Sequence, residues 1–209
     1  HDRVMGGRLA LLSGHASQMN SLLPLIQSSV SGRPDRCWFK RLLPENLVLP
    51  DADEPDWFEP GLFHQPSRAD DSDMEGLIDF YLHGFYSLAH LPSREAWRTR
   101  LSDQIAFRTL YLIKDREGTV VSAAQSSAEG GGAAMLGGVA TLDAYRGIGL
   151  STRCVGALCE GLFEAGLESI SLFYLKDNTP AERVYEKLGF VPAGEWLLIP
   201  MGLGILFGG

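Results

Sequence analysis

The sequence predicts an α+β fold with layers of the α/β type, in which a mixed sheet carries helices on both faces and a small N-terminal α/β extension precedes it. Three observations predict this fold. Strand-like and helix-like segments alternate along the 209 residues, and three consecutive strand-like segments separated by DREG and EGGG predict a β-meander. A proline-rich acidic segment divides the chain. After that segment the order β-α-α-β-β-β-α-β-α-β is that of a layered α+β domain.

The N-terminal extension is predicted from three short segments. Residues 8–14 and 37–43 have strand-like patterns, and residues 15–30 have a helical pattern that Pro24 bends or divides. Residues 44–60 then contain four prolines and no basic residue, which excludes a regular helix and indicates a connector. We therefore predict a small βαβ-like unit of unknown role at residues 1–55, and the main domain at residues 56–209.

The main domain is predicted to contain four helices and six strands. Acidic residues open its first helix, Ser93 caps its second, and Gly189 ends its last. The predicted helices are 69–90, 93–101, 150–166 and 179–189; the predicted strands are 61–67, three within the meander at 108–142, 169–175 and 195–201.

Composition excludes several classes of function. A net charge of −8 argues against binding nucleic acid, and no stretch approaches the ~20 apolar residues that a bilayer span needs. Cys154 and Cys159 lie about 140° apart around their helix, so they would not share a metal ion, and no metal site is predicted. With Cys37 they are expected to be buried free thiols, as in the reducing cytoplasm. No secretory signal is visible before the first strand.

The sequence DAYRGIGLS, residues 143–151, joins the last meander strand to a helix. Its glycines permit positive φ and close approach of a ligand, and the N–H groups at the start of the helix could hold an anion. Arg146 could add a positive charge or could brace the turn. A tight connection that binds nothing is an equally good interpretation of this segment alone. No P-loop or dinucleotide-binding pattern fits it.

A second motif follows, NTPAERVYEKLGF at residues 178–190. The strand ending in VATLD, the sequence RGIGL, a further strand and this motif together resemble the GNAT superfamily of acyl-CoA-dependent N-acetyltransferases. The segment from Arg146 to Ser151 is similar to the family pattern Q/R-x-x-G-x-G/A. Arg146 and Gly149 match it, and Ser151 stands where the family has glycine or alanine. The resemblance covers about residues 61–209 and implies a mostly antiparallel sheet with two central parallel strands.

The resemblance implies a binding site for acetyl-CoA. Backbone groups of Gly147, Ile148, Gly149, Leu150 and Ser151 would hold the pyrophosphate. Val139 and Thr141 would offer backbone groups to the thioester carbonyl and the pantetheine amides, and Asn178 matches a position that helps to hold the cofactor. An N-cap role for Asn178 is an equally good account. Gly137 and Gly138 fit a bulge or a close approach of the ligand.

The resemblance also implies that Tyr185 protonates the departing thiolate. The alternative is a helix residue with its ring in the core. No general base is evident: Glu129 lies at a predicted turn, where a carboxylate is expected to be solvated, and a water chain could serve instead. His83 is expected at the surface or between helices. The acceptor is expected to bind around residues 80–94. The pattern of this segment indicates that most of its aromatic residues are buried in the core.

The function predicted is therefore that of an acetyl-CoA-dependent N-acetyltransferase acting on a primary amine of a small molecule or peptide. For this chain we expect no nucleic-acid or membrane partner and a cytoplasmic location, and a homodimer is compatible with the sequence. A non-catalytic acyl-CoA-binding sensor or partner domain is the rival hypothesis.

Overall fold

A computed structural model of the chain describes residues 9–50, 61–84 and 92–202. In these ranges it contains eight strands and five helices. The strands are β1 (Leu9–His15), β2 (Asp35–Leu42), β3 (Ser67–Arg68), β4 (Leu110–Lys114), β5 (Val120–Gly130), β6 (Ala133–Thr141), β7 (Ser169–Leu175) and β8 (Val191–Gly202); the helices are α1 (Ala16–Ile26), α2 (Met74–Gly84), α3 (Arg94–Phe107), α4 (Leu150–Glu164) and α5 (Thr179–Lys187).

The strands pair in the order β1-β8-β2-β7-β6-β5-β4-β3. Every pairing with a described register is antiparallel except that of β6 with β7, which is parallel over Ala133↔Ser169, Ala134↔Ile170 and Met135↔Ser171. The predicted mixed, mostly antiparallel sheet is confirmed. Because two parallel strands need a crossover between them, α4 lies between β6 and β7 in the chain.

The chain divides into two compact units. Unit 1 comprises His1–Arg41, Leu172–Glu182 and Val191–Gly209, and unit 2 comprises Leu42–Ser171 and Arg183–Phe190. The predicted boundary at residue 55 lies outside the described residues, so the division into 1–55 and 56–209 stays a prediction.

In unit 1, β8 lies between β1 and β2 and is antiparallel to both. Helix α1 packs on β8, with Ala16 and Met19 buried against Leu197 and Ile199. The predicted βαβ order of the first 43 residues is therefore present, and the last strand of the described chain lies between its two strands. Pro24 falls inside α1, as the sequence predicts.

In unit 2, helices cover both faces of the sheet. Leu110 and Leu112 of β4 belong to the apolar core that α2 and α3 complete. Tyr111 lies between them in the strand, where side chains alternate between faces, and its ring contacts α4 at Gly161. Helices on both faces of the sheet are thus confirmed.

Most of the predicted elements are found close to their predicted bounds. Ser93 caps α3 by accepting a hydrogen bond from the Ala96 N–H at 3.2 Å, and Gly189 has φ = +89° after α5. All three cysteines are buried and unpaired. No helix in the described ranges is both long and apolar enough to cross a bilayer. Residues 85–90 of the predicted first helix lie outside the described residues.

The prediction of a strand at residues 61–67 is wrong. Only Ser67 and Arg68 form a strand there, and Phe63 makes one isolated bridge to Asp115. Gly61 has φ = +94°, and Pro66 has no N–H to donate to a ladder, so a continuous strand cannot form.

Candidate functional site

The glycines near the end of β6 form a β-bulge. The register of β5 against β6 shifts between Ala123 and Gln125, so that one residue of β5 faces two residues of β6, Gly138 and Val139. Gly138 has φ = +58°, a left-handed conformation that glycine adopts without strain. The bulge predicted at these glycines is confirmed.

The bulge is enclosed by two side chains. A Cβ at Gly138 would lie 2.5 Å from Nε2 of Gln125, so a side chain at this position would have to displace Gln125. The Gly138 carbonyl accepts a hydrogen bond from the Tyr81 hydroxyl of α2, with the two oxygens 3.4 Å apart. In the sequence Tyr81 is recognisable only as an apolar position of a helix, and no motif marks its contact with the bulge.

Thr141 lies at the end of β6 with its backbone turned away from β5. The N–H of Leu142, the next residue, donates to the Val121 carbonyl at 3.0 Å. Because hydrogen-bonded and non-hydrogen-bonded pairs alternate in an antiparallel ladder, the Thr141 N–H and carbonyl face the opposite edge of β6. The Thr141 hydroxyl lies 2.9 Å from that of Ser122 on β5, which fixes the side chain.

The glycine turn, residues 143–151, leads from β6 into α4. It begins with one 3₁₀ turn at Asp143–Tyr145. Gly147 has φ = +83° and Gly149 has φ = +80°. A Cβ at either position would meet no atom within 4 Å, so the space beside both glycines is open.

The start of α4 has no cap from the protein. Gly149 occupies the N-cap position, and no side chain accepts a hydrogen bond from the first turn. Arg153 is the first residue whose N–H reaches a helical acceptor, the Gly149 carbonyl at 3.1 Å. Within the described residues, the N–H groups of Gly147 to Thr152 have no acceptor among the hydrogen bonds of the turn and the helix start. These donors and the positive end of the helix dipole favour an anion here.

Arg146 braces the glycine turn. Its Nε donates to the Thr141 carbonyl at 3.2 Å, and its Nη2 lies 2.8 Å from the Asp143 carboxylate. The side chain is 62% exposed. The sequence leaves open whether Arg146 braces the turn or adds a positive charge to an anion site. The contacts with Thr141 and Asp143 are those of a residue that braces the turn.

The side chains that flank the glycines differ in burial. Leu150 is fully buried and anchors the first turn of α4 in the core, whereas Ile148 and Ser151 are half-buried. Ser151 is the second residue of α4.

Asn178 lies before α5 and in unit 1. Its Oδ1 accepts a hydrogen bond from the Ala181 N–H at 3.2 Å, and its carbonyl accepts one from Glu182. These are the contacts of an N-cap residue, the alternative that the sequence leaves open. The Asn178 side chain is exposed.

Tyr185 lies in α5 and in unit 2. It is the buried residue of that helix, and its ring meets the edge of Phe190 at a centroid distance of 5.7 Å. The chain turns back at Gly189, since the Phe190 N–H donates to the Tyr185 carbonyl at 2.9 Å. The motif YEKLGF therefore forms a compact helix end in which Tyr185 is held by packing.

Glu129 and His83 have structural contacts. Glu129 lies in β5 and accepts hydrogen bonds from the Thr109 N–H at 2.8 Å and from the Ser126 hydroxyl. It is half-buried, so the expectation of a solvated loop carboxylate is wrong. His83 is exposed, and its Nδ1 lies 2.9 Å from the Asp79 carbonyl.

The structure therefore brings most of the predicted residues together on one continuous stretch of unit 2. Val139 lies in the bulge, Thr141 ends β6, and residues 146–151 form the turn and the start of α4. In chain order this stretch consists of a bulged strand, a turn with two left-handed glycines and a helix start without a side-chain cap.

A family model places the chain more narrowly. The model of the acetyltransferase (GNAT) family matches residues 74–190, which is more than half of the chain and runs from α2 to the end of the YEKLGF motif. The chain belongs to the GNAT acetyltransferase family. No curated protein sequence matches it.

Solved structures share the fold. A GCN5-related N-acetyltransferase from Sphaerobacter thermophilus is 17% identical with a TM-score of 0.67, over 92% of this chain and 59% of that protein. One from Kribbella flavida is 20% identical with a TM-score of 0.62, over 95% and 69%. The ribosomal-protein-S5-alanine acetyltransferase from Vibrio fischeri is 19% identical with a TM-score of 0.55, over 72% and 98%. The chain thus spans about three fifths of the length of the Sphaerobacter protein.

Proposed function

We propose that this chain is an acetyl-CoA-dependent N-acetyltransferase that acts on a primary amine of a small molecule or peptide. One observation carries the proposal: the uncapped start of α4, reached through two left-handed glycines beside open space. Membership of the GNAT acetyltransferase family gives the class of reaction. The acceptor and the roles of individual residues are part of the proposal.

The residues present fit the pyrophosphate of acetyl-CoA. Residues 147–151 offer consecutive backbone donors at the positive end of a helix, which is the arrangement that binds phosphate without a basic side chain. Val139 and Thr141 would offer backbone groups to the acyl arm. When bound, acetyl-CoA supplies an acetyl group activated as a thioester.

Arg146 supports this site mainly by shape. Its guanidinium is committed to Thr141 and Asp143, and it is largely exposed, so that salt screens its charge. We therefore assign most of the anion binding to backbone N–H groups. Asn178 would act through its cap on α5, which fixes the start of the helix that carries Tyr185.

Tyr185 is proposed as the general acid that gives its phenolic proton to the departing thiolate. A phenol with a pKa near ~10 is a suitable acid for a thiol with a pKa near ~8.5. Packing against Phe190 would hold the ring in one orientation, which is what a positioned proton donor needs. The proton lost by the acceptor amine would pass to water, because Glu129 is occupied by Thr109 and Ser126.

Two measurements test the proposal. Calorimetric titration with acetyl-CoA should give binding, and a thiol-release assay with a panel of primary amines should give turnover. Tyr185→Phe should lower kcat at least a hundredfold and change the acetyl-CoA Kd less than threefold. Tyr111→Phe is the matched control, because its hydroxyl lies against α4 at Gly161 and has no role in the proposal.

The outcomes separate the hypotheses. Binding without turnover on any amine would favour the acyl-CoA-binding sensor, and neither binding nor turnover would overturn both. Unchanged kcat in Tyr185→Phe would remove its role as the acid and leave the transferase intact. A cytoplasmic location and a homodimer stay predictions of the sequence.

A further inference from the structure

We propose that Tyr81 is a positioning residue for acyl transfer: its hydroxyl holds the Gly138 carbonyl and thereby sets the direction of the Val139 N–H. The contact joins α2 to the bulge in β6 within unit 2. This inference deepens the proposed function and rests on it, because it assigns to the Val139 N–H a place beside the thioester carbonyl.

The peptide unit between Gly138 and Val139 transmits the effect. It is trans, since the described chain contains no cis peptide bond. In a trans peptide the carbonyl and the N–H lie in one plane and point in opposite directions. A hydrogen bond that fixes the Gly138 carbonyl therefore also fixes the Val139 N–H, on the side of the peptide away from Tyr81.

The Tyr81 hydroxyl is itself held in place by packing. Its ring stacks on Trp97 of α3 at a centroid distance of 4.9 Å and an angle of 11°, and meets the edge of Phe80 at 5.1 Å. The residue is 1% exposed. Burial raises the pKa of the Tyr81 phenol, so the hydroxyl keeps its proton and can donate throughout the neutral and moderately alkaline range.

Gln125 of β5 lies beside the Cα of Gly138 in the bulge. Gln125 fills the position that a Gly138 side chain would take, with its Cδ 2.8 Å from an added Cβ. The left-handed φ of +58° at Gly138 turns the peptide out of the regular strand. Tyr81 therefore contacts the bulge at the Gly138 carbonyl, and Gln125 packs beside the same residue.

A donor at the carbonyl end of a peptide also strengthens the N–H at the other end. Hydrogen bonds in a chain polarise one another, and this effect is larger away from water. A fixed N–H that meets developing negative charge contributes to catalysis because it needs no reorganisation during the reaction. Tyr81 would therefore act on the reaction through Val139, without touching the substrate.

Comparing acetyl-CoA with CoA tests this role, because CoA lacks the thioester carbonyl. The Kd of each is measured by calorimetry for the wild type and Tyr81→Phe, together with kcat and Tm. Tyr81→Phe should weaken acetyl-CoA binding three- to tenfold and leave the CoA Kd within twofold. It should lower kcat about tenfold, which is less than the fall in kcat caused by removing an oxyanion donor itself. Ile78→Val is the matched control: it is also fully buried in α2 and should lower Tm without changing the ratio of the two Kd values.

The inference fails if Tyr81→Phe weakens both ligands equally or leaves kcat unchanged, since Tyr81 would then serve stability alone. It also fails if Ile78→Val shifts the ratio as much as Tyr81→Phe does. A wild-type chain that binds neither ligand would instead overturn the proposed function. The two failures are therefore distinguishable.

Discussion

Two turns of unit 2 contain pairs of left-handed glycines and are used differently. Gly131 and Gly132, the hairpin turn, join β5 to β6 with φ of +59° and +75°. Gly147 and Gly149 belong to the glycine turn between β6 and α4, with φ of +83° and +80°. The backbone chemistry is the same at both places, and three of the four glycines face open space.

The turns differ in what their backbone groups bind. The hairpin turn is enclosed by the ladder pair Gly130↔Ala133, and the Gly132 carbonyl accepts hydrogen bonds from Glu168 at 2.7 Å and Ser169 at 3.3 Å. The glycine turn ends in a helix start whose N–H groups have no acceptor within the described residues. A glycine pair therefore indicates the backbone conformation, whereas the unused donors beside it are the observation on which the proposed binding site rests.

The largest expected difference between the turns is in acetyl-CoA binding. Gly149→Ala places a side chain on a residue in the left-handed conformation, which costs about 1–2 kcal/mol of stability. The strain should shift the N–H groups at the start of α4 and raise the acetyl-CoA Kd at least tenfold. Gly131→Ala imposes similar strain in the hairpin turn and should leave that Kd within twofold. Calorimetric titration of both variants, with Tm as the common measure of strain, makes the comparison. Equal loss of affinity in the two variants would contradict it.

A smaller effect is expected from a negative charge at the start of α4. Ser151→Asp should stabilise the helix by about 0.3–1 kcal/mol, because a carboxylate near a helix N-terminus interacts favourably with its dipole. The same carboxylate should repel the pyrophosphate and weaken acetyl-CoA binding severalfold. Thermal unfolding with and without ligand measures both effects. If Tm rises and affinity is unchanged, the glycine turn is only a connection; Ser151→Asn controls for size without charge.

The smallest effect on ligand binding is expected from a change at Cys154, a buried residue of α4 close to the glycine turn. The Cys154 thiol is fully buried, its Sγ lies 3.4 Å from the Tyr111 carbonyl, and desolvation raises its pKa to about 12. The unfolded thiol ionises near ~8.5, so between that pH and about 12 the unfolded state binds fewer protons than the folded state. Stability should therefore fall as pH rises, at about 1 kcal/mol per pH unit.

Urea unfolding at pH 8, 9 and 10 measures this slope. In Cys154→Ala the contribution of the thiol is absent, so the difference in unfolding free energy between wild type and variant should shrink over this range. A difference that stays constant with pH would contradict the assignment. The acetyl-CoA Kd at neutral pH should stay within twofold in Cys154→Ala, because the thiol lies one helical turn below the donors.

The local elements were predictable because their signals are local. The alternating buried pattern of residues 169–175 defines β7 residue for residue, and the helix caps at Ser93 and Gly189 are short-range signals. Helix α3 continues to Phe107, six residues past the predicted end, because no glycine or proline interrupts it and the Arg108 N–H still bonds to Gln104. The strand predicted at residues 61–67 failed because Pro66 outweighs the apolar pattern around it.

The backbone features of the candidate site were predictable from the sequence, and its side-chain contacts were less so. The bulge and the turn are marked by glycines, which the sequence displays directly. The hydrogen bond from Tyr81 to Gly138 joins residues 57 positions apart, and a helix pattern shows only that Tyr81 is apolar. The contacts of Arg146 and Asn178 also needed coordinates, because an arginine can brace a turn or bind phosphate, and an asparagine can cap a helix or contact a cofactor.

The position of β8 between β1 and β2 has a consequence for how the chain folds as it is made. Leu9 pairs with Gly202, and Arg41 pairs with Val191, so both N-terminal strands take their partner from the end of the described chain. Synthesis proceeds from the N-terminus, and these two strands must stay unpaired with β8 until residues 191–202 have left the ribosome. Pairing over so long a sequence separation is slow. Unit 1 should therefore be the last part to fold, and premature termination before residue 191 should leave two strand edges exposed.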